Sequence, residues 1–137
     1  MQDFSYGIIP LIRVEGSYKT VLLLHHNGHF WGFPKGHLEQ GEAPLDAATR
    51  ELYEETSLRV VKVLNPEPLK ETYMFHKQSV AVYKQVLFYL CLVEGDVEID
   101  GKEILDYRLC NLDSAQELLT YKDAKALIPQ IKNLLNA

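Results

Sequence analysis

The stretch whose reading decides the fold is Phe33-Pro34-Lys35-Gly36-His37-Leu38-Glu39-Gln40-Gly41-Glu42, followed by Ala43 to Leu58, which includes Arg50-Glu51-Leu52-Tyr53-Glu54-Glu55-Thr56-Ser57-Leu58. Its second half reads as a helix. Pro44 suits a first helical turn, where its missing N–H is no loss. From Leu45 to Thr56 there is neither glycine nor proline, and most residues favour helix. Leu45, Ala48 and Leu52 recur at helical spacing and form one apolar stripe. Glu51, Glu54 and Glu55 fall together on a different face, where like charges repel by roughly 0.2–0.5 kcal/mol per pair. Arg50 relieves part of this repulsion, most directly through Glu54, four residues on. An isolated Glu-x-x-Glu-Glu reads as a solvated acidic face. Here the acids follow a two-glycine turn in fixed register. Three carboxylates beside the Gly36 carbonyl form a hard oxygen set of the kind Mg²⁺ takes.

Composition bounds what surrounds this stretch. With 137 residues the chain, residues 1–137, reads as one domain with a genuine core. Its formal net charge of −5 argues against broad nucleic-acid binding, which needs a basic surface. An anionic small molecule stays compatible, because a bound divalent cation inverts the local field. There is no apolar run of transmembrane length, and no signal peptide is expected, since Asp3 and Tyr6 interrupt the apolar residues at the start. Cys91 and Cys110 lack metal-ligand spacing and read as buried free thiols of a reducing compartment. A monomeric cytoplasmic protein, without membrane association, is expected.

Taken in order, Phe4 to Val14 reads as a strand in which Pro10 marks an edge or a bulge. Lys19 to His25 is a second strand, whose Val-Leu-Leu-Leu run implies burial on both faces. His25, His26 and His29 lack ligand spacing and read as strand-end and loop residues. The loop from His29 to Gly41 carries Trp31, Phe33, Lys35 and His37, and reads as a pocket wall, a plug for the end of the core, or both. After the helix, Arg59–Leu64, Glu71–Lys77, Val80–Val93 and Tyr107–Leu112 read as strands, with an acidic loop from Gly95 to Gly101. Asp113 or Ser114 is the expected cap of a short helix to Leu119. A final amphipathic helix is expected over Lys122–Leu135, kinked at Pro129. Strands on both sides of a central helix, with a terminal helix, fit an α/β sandwich around a mixed sheet.

The spacing Gly36, five residues, Glu42, seven residues, Arg50-Glu51-Leu52-Tyr53-Glu54-Glu55-Thr56-Ser57-Leu58 resembles the Nudix box, with Ser57 where the family has glycine. If each residue type fills roughly one position in fifteen, six such matches arise by chance at a given start about once in ten million. The resemblance implies the Nudix α/β/α fold with a central catalytic helix and a C-terminal helix. It also implies cleavage of nucleoside diphosphates linked to another moiety, with Mg²⁺ or Mn²⁺. Trp31-Gly32-Phe33-Pro34-Lys35-Gly36-His37 resembles the Trp-x-x-Pro-Lys-Gly-His of the asymmetrical diadenosine tetraphosphate hydrolases. Tyr83–Tyr89 resembles that subfamily's Lys-Thr-Val-x-Tyr strand, and Glu103–Arg108 and Tyr121–Ala124 resemble its C-terminal half.

Carried over residue by residue, Glu51, Glu54 and Glu55 with the Gly36 carbonyl match the metal site. Arg50 matches the arginine that orients a helix glutamate, and Glu54 or Glu51 is the general base. Lys84 matches a phosphate-contacting lysine, and Lys35 and His37 match residues beside the polyphosphate. Tyr121 matches an aromatic that stacks on adenine, with Tyr73 expected on the other side. The implied reaction is Mg²⁺-dependent hydrolysis of diadenosine tetraphosphate to ATP and AMP. The same helix would serve an RNA 5′ end, a nucleotide sugar or ADP-ribose. A nucleotide sensor without turnover would be expected to have lost its acids, and here Arg50, Glu51, Glu54 and Glu55 are all present. Ser57 is expected at positive φ, at a stability cost on the order of 1 kcal/mol.

Overall fold

Ile8 and Ile9 are adjacent and both fully buried, yet they belong to different hydrophobic cores. The same division separates Leu22 from Val21 and Leu23, and Leu90 from Cys91. Successive side chains of a strand point to opposite faces, so strands apolar at every position need cover on both sides. The computed structural model describes residues 1–136 and has this arrangement, an eight-stranded mixed sheet between helices. Its elements are β1 (Gln2–Val14), β2 (Ser17–His25), β3 (Phe30–Gly32), β4 (Lys35–Gly36), α1 (Pro44–Thr56), β5 (Arg59–Val63), β6 (Leu69–Lys77), β7 (Val80–Glu94), β8 (Ile104–Asn111), α2 (Leu112–Leu118), α3 (Lys122–Lys125) and α4 (Leu127–Asn136).

β1 runs parallel to β7 over ten residue pairs, from Gln2–Tyr83 to Leu11–Leu92. The other flank of β7 carries β6 and then β5, both antiparallel. One face of the sheet packs on α1 through Ala48 and Leu52. The other packs on α2–α4 through Ala115, Leu119, Ala124, Leu127, Ile128 and Ile131.

The site depends on a fork in this sheet. β1 pairs with β2 only from Leu11 to Val14. Further towards its start, Tyr6 and Gly7 pair with β4 instead. β2 in turn pairs with β3 over Leu23–His25. Pro10 therefore stands at an interior fork rather than at the expected edge or bulge. There it needs no N–H partner towards β2, and the Thr20 hydroxyl donates to its carbonyl at 2.7 Å. Gly7 is required where β4 closes on β1, because a Cβ there would overlap the Pro34 carbonyl and lie 2.7 Å from the Phe88 ring.

Several boundaries differ from the sequence reading. The loop from His29 to Gly41 contains β3 and β4, short strands held by pairing in the fork and by hydrogen bonds of Trp31 with Thr120 and of Lys35 with Glu55. β8 begins at Ile104 rather than Tyr107, because its ladder with β2 extends to His25. The cap of α2 is Asn111, whose Oδ1 accepts from the Ser114 N–H at 2.8 Å, so Asp113 and Ser114 lie inside the helix. The C-terminal helix is divided at Ala126 instead of kinked at Pro129. Because α4 starts at Leu127, Pro129 falls in its first turn, where proline is tolerated. Ser57 adopts the left-handed conformation (φ 66°, ψ 5°), with its N–H donating to the Tyr53 carbonyl at 2.8 Å. Cys91 is buried and Cys110, expected buried, is half-buried; both are free. Among the described residues no helix is long and apolar enough to cross a membrane.

Candidate active site

The last two turns of α1 face β4, and Arg50 ties them together. Its five N–H donors find five acceptors. Nε and Nη2 grip the two carboxylate oxygens of Glu42 at 2.8 and 3.0 Å, and Nη2 also donates to the His37 carbonyl at 2.9 Å. Nη1 donates to Glu51 at 2.9 Å and to Glu54 at 3.1 Å. One side chain thus fixes the glycine-flanked turn to the acidic face of the helix. The Arg50 hydrogen bond holds the Glu42 carboxyl below its ordinary range.

The acids themselves are crowded. A Cβ on Gly36 would overlap the Glu51 carboxylate, so only glycine leaves room for it. Glu51 is pushed up by burial, against the pull of Arg50. Glu55 is buried, accepts from the Lys35 N–H at 3.0 Å, and is driven up to about 8 by burial and the Glu51 charge. Glu54 differs, with its carboxylate half exposed on Arg50 at the rim. A cleft of about 440 Å³ is lined by Gly36, Glu51 and Glu55, and by Glu103, which sequence reasoning missed. Glu103 follows the acidic loop, where Asp100 Oδ1 accepts from the N–H groups of Lys102, Glu103 and Ile104. Its charge acts on both Glu51 and Glu55. Its distance from the helix in sequence left no spacing signal to find it by.

The opposite wall is basic and aromatic. Lys84 is 5% exposed, with Nζ bonded to Asp3 Oδ2 at 2.8 Å and to Ser5 Oγ at 2.5 Å. His37 Nε2 lies 2.8 Å from Asp3 Oδ1. Lys35 Nζ is 3.4 Å from the Tyr73 hydroxyl, and burial pushes this lysine down to about 8. Tyr73 stands opposite Lys84 in register. The Tyr73 and Tyr121 rings stack on each other, centroids 5.1 Å apart and planes 15° off parallel. Phe30 leans on Tyr121 at 5.1 Å and stacks on His25 at 4.7 Å. Of the loop aromatics, Phe33 is a core plug against Phe88, Trp31 packs on the core edge beneath Arg108, and neither lines the cleft. His25 is buried at the end of β2 beside the Phe33 carbonyl, and burial lowers it to about 4.

Of the predicted residues, Lys35, Gly36, His37, Arg50, Glu51, Glu55 and Lys84 line one cleft, Glu54 sits at its rim, and Tyr73 and Tyr121 adjoin it through Lys35 and Phe30. Carboxylates from Glu51, Glu55 and Glu103 beside the Gly36 carbonyl are hard oxygen donors, and their mutual repulsion fits a divalent cation. Among the described residues no three acidic, histidine or cysteine side chains stand at ligating distance, as Arg50 holds Glu51 and the Lys35 N–H holds Glu55.

A family model described as NUDIX domain matches residues 1–131. The asymmetrical bis(5'-nucleosyl)-tetraphosphatase of Sus scrofa is 34% identical over 133 residues, covering 93% of this chain and 86% of that protein. An RNA pyrophosphohydrolase of Bartonella quintana is 56% identical over 36 residues, 26% of this chain and 21% of its own. In fold, the binary complex of the C. elegans Ap4A hydrolase superposes with a TM-score of 0.74 at 22% identity, covering 97% of each chain. With the domain matched over nearly its whole length, the chain belongs to the Nudix hydrolase family.

Proposed function

We propose that the protein is a one-domain hydrolase that cuts diadenosine tetraphosphate asymmetrically to ATP and AMP. The observation that carries this reading is the stacked pair of Tyr73 and Tyr121 rings, which adjoins the cleft of the acids through Lys35, 3.4 Å from the Tyr73 hydroxyl, and through Phe30, which leans on Tyr121. The similarity to the Sus scrofa enzyme over most of both chains supports it. The aromatic pair, closed on itself at 5.1 Å, separates to take an adenine, since a ring needs about 3.5 Å on each face. Holding the base there determines which phosphorus lies against the acids.

Gly36, Glu51, Glu54 and Glu55 are the candidate ligands for Mg²⁺, or Mn²⁺ in its place, and Glu103 is a further carboxylate within reach. Bound there, the cation supplies charge neutralisation for the polyphosphate and makes a water easier to deprotonate. Glu51, which lines the cleft, is favoured over Glu54 at the rim as the base that takes the proton of the attacking water. The water oxygen bonds to phosphorus as the bridging P–O bond breaks. Lys84, Lys35 and His37 stabilise the phosphate charge that builds up. Arg50 holds Glu51 in place throughout.

The test is turnover of diadenosine tetraphosphate with Mg²⁺, resolved by ion-exchange chromatography, beside 5′-triphosphorylated RNA and ADP-ribose. ATP and AMP in equal amounts are expected, with Glu51→Gln slower by about 10²–10⁴-fold and Glu54→Gln less affected. Two ADP would contradict the asymmetric cut, and near-normal turnover in both variants would remove both assignments of the base. RNA 5′-end hydrolysis is the second reading, motivated by the local Bartonella match. It would be adopted if only the RNA were cleaved, and nucleotide binding without any turnover would indicate a sensor.

A further inference from the structure

Asp3 has no part in the reaction above, yet it lies at the centre of the basic wall. β1 places it directly opposite Lys84. Its two oxygens go to different donors, Oδ2 to Lys84 Nζ and Oδ1 to His37 Nε2, each at 2.8 Å. An ionised carboxylate only accepts hydrogen bonds, so Nε2 of His37 carries the proton of that bond. It is then no acceptor for Lys84 Nζ, 3.4 Å away. Of the three N–H donors on Lys84, Asp3 takes one and Ser5 a second. The third is left for the cleft that Lys84, Ser5 and His37 line. Burial pushes the Asp3 carboxyl up, but its hydrogen bonds with Lys84 and His37 outweigh that and keep it below its ordinary range. It is therefore an anion at neutral pH.

We infer that Asp3 sets the affinity of the cleft for polyphosphate: its carboxylate occupies the Lys84 ammonium as a phosphate oxygen would, and competes with the substrate for it. This rests on the polyphosphate reading of the cleft. Asp3 also anchors Lys84, but Ser5 shares that task, whereas Asp3 alone among the described residues gives Lys84 a bonded carboxylate. A polyanion at the one free donor meets that negative charge at close range, so competition outweighs anchoring.

Isothermal titration calorimetry of the full chain with ATP and Mg²⁺ separates the two effects. Asp3→Asn keeps a carbonyl oxygen for Lys84 and removes the charge, and is expected to bind ATP about tenfold more tightly, with the gain shrinking at high salt. Ser5→Ala removes the neutral anchor and leaves the charge, and is expected to bind more weakly. In a Lys84→Met background, or Lys84→Gln if that variant does not fold, the gain from Asp3→Asn is expected to shrink to the part that comes from the Asp3 charge itself and its bond with His37. A merely structural role cannot produce tighter binding. Unchanged or weaker ATP binding by Asp3→Asn would overturn the inference, as would tighter binding by Ser5→Ala. If replacing Lys84 leaves ATP affinity unaltered, the polyphosphate reading falls with it. If replacing Lys84 weakens binding but Asp3→Asn does not tighten it, only the role of Asp3 falls.

Discussion

Ser57 is the one box position that departs from the family pattern, and its backbone is the one a glycine would take. At φ 66° a Cβ crowds the following carbonyl, which costs an L-residue on the order of 1 kcal/mol. The chain accepts this because the Ser57 N–H closes the last turn of α1 on the Tyr53 carbonyl. Leu58 behind it is fully buried against Ala48 and Leu52. The conformation is thus held by tertiary packing against the local preference of serine. Ser57→Gly is expected to raise stability by about 0.5–1 kcal/mol, partly offset by the greater freedom of glycine in the unfolded chain. The midpoint of thermal unfolding should rise by a few degrees while turnover stays the same. A lower midpoint would mean that the serine side chain contributes something its backbone conformation does not reveal.

At the scale of elements, the site is built by the fork between β1 and β2, and β4 is its critical piece. β4 is two residues long, yet it places Lys35 on the basic wall and Gly36 against Glu51. Its hold on β1 passes through Gly7, where an added Cβ would meet the Pro34 carbonyl, a backbone atom with little freedom to move. Gly7→Ala is expected to cost about 1–3 kcal/mol, as overpacking of a filled interior does. Turnover should drop at least about a hundredfold as Lys35 and Gly36 shift, and chemical denaturation with parallel assays would measure both. An unchanged rate would mean that β4 is positioned by α1 alone. The same geometry explains what was legible beforehand. Arg50, Glu51, Glu54 and Glu55 share two helical turns, so spacing alone gathers them. The two-faced burial of β1, β2 and β7 follows from their uninterrupted apolar runs. Asp3 read only as a polar interruption before a strand starting at Phe4, since nothing local tells that β1 begins at Gln2 or which residue of β7 it faces. Glu103 reaches the cleft through pairing between distant segments, which no local pattern encodes, and Phe30 reaches it through the short β2–β3 hairpin. Asn111 both ends β8 and caps α2, so its capping role is hidden inside a strand pattern.

For the molecule as a whole, the basic and acidic walls leave an imprint on stability. Glu71 on β6 is 4% exposed and is pushed up to about 7, chiefly by burial, despite the charges of Lys35 and Lys84. A carboxyl whose folded value is raised binds its proton more tightly when folded, so its contribution is present in acid and is lost as pH rises from about 4.5 to about 7. Glu55, raised to about 8, acts in the same direction up to that pH. His25 acts oppositely. Lowered by burial to about 4, it adds stability as pH rises from about 4 to about 6.5 and nothing further above that. Between about 6.5 and 8 the two carboxyls are therefore unopposed by His25, and the metal-free protein is expected to lose stability across that interval. Glu71→Gln isolates one of them. It should match the wild type near pH 3.5, about a unit below the ordinary carboxyl value, where Glu71 is mostly protonated in both states, and exceed it by about 1–3 kcal/mol at pH 8, where the buried charge is removed. Denaturant unfolding at the two pH values, with a chelator present, measures the difference. An equal gap at both would mean that Glu71 does not titrate in this range, and that its neighbours Lys35 and Lys84 keep it ionised throughout.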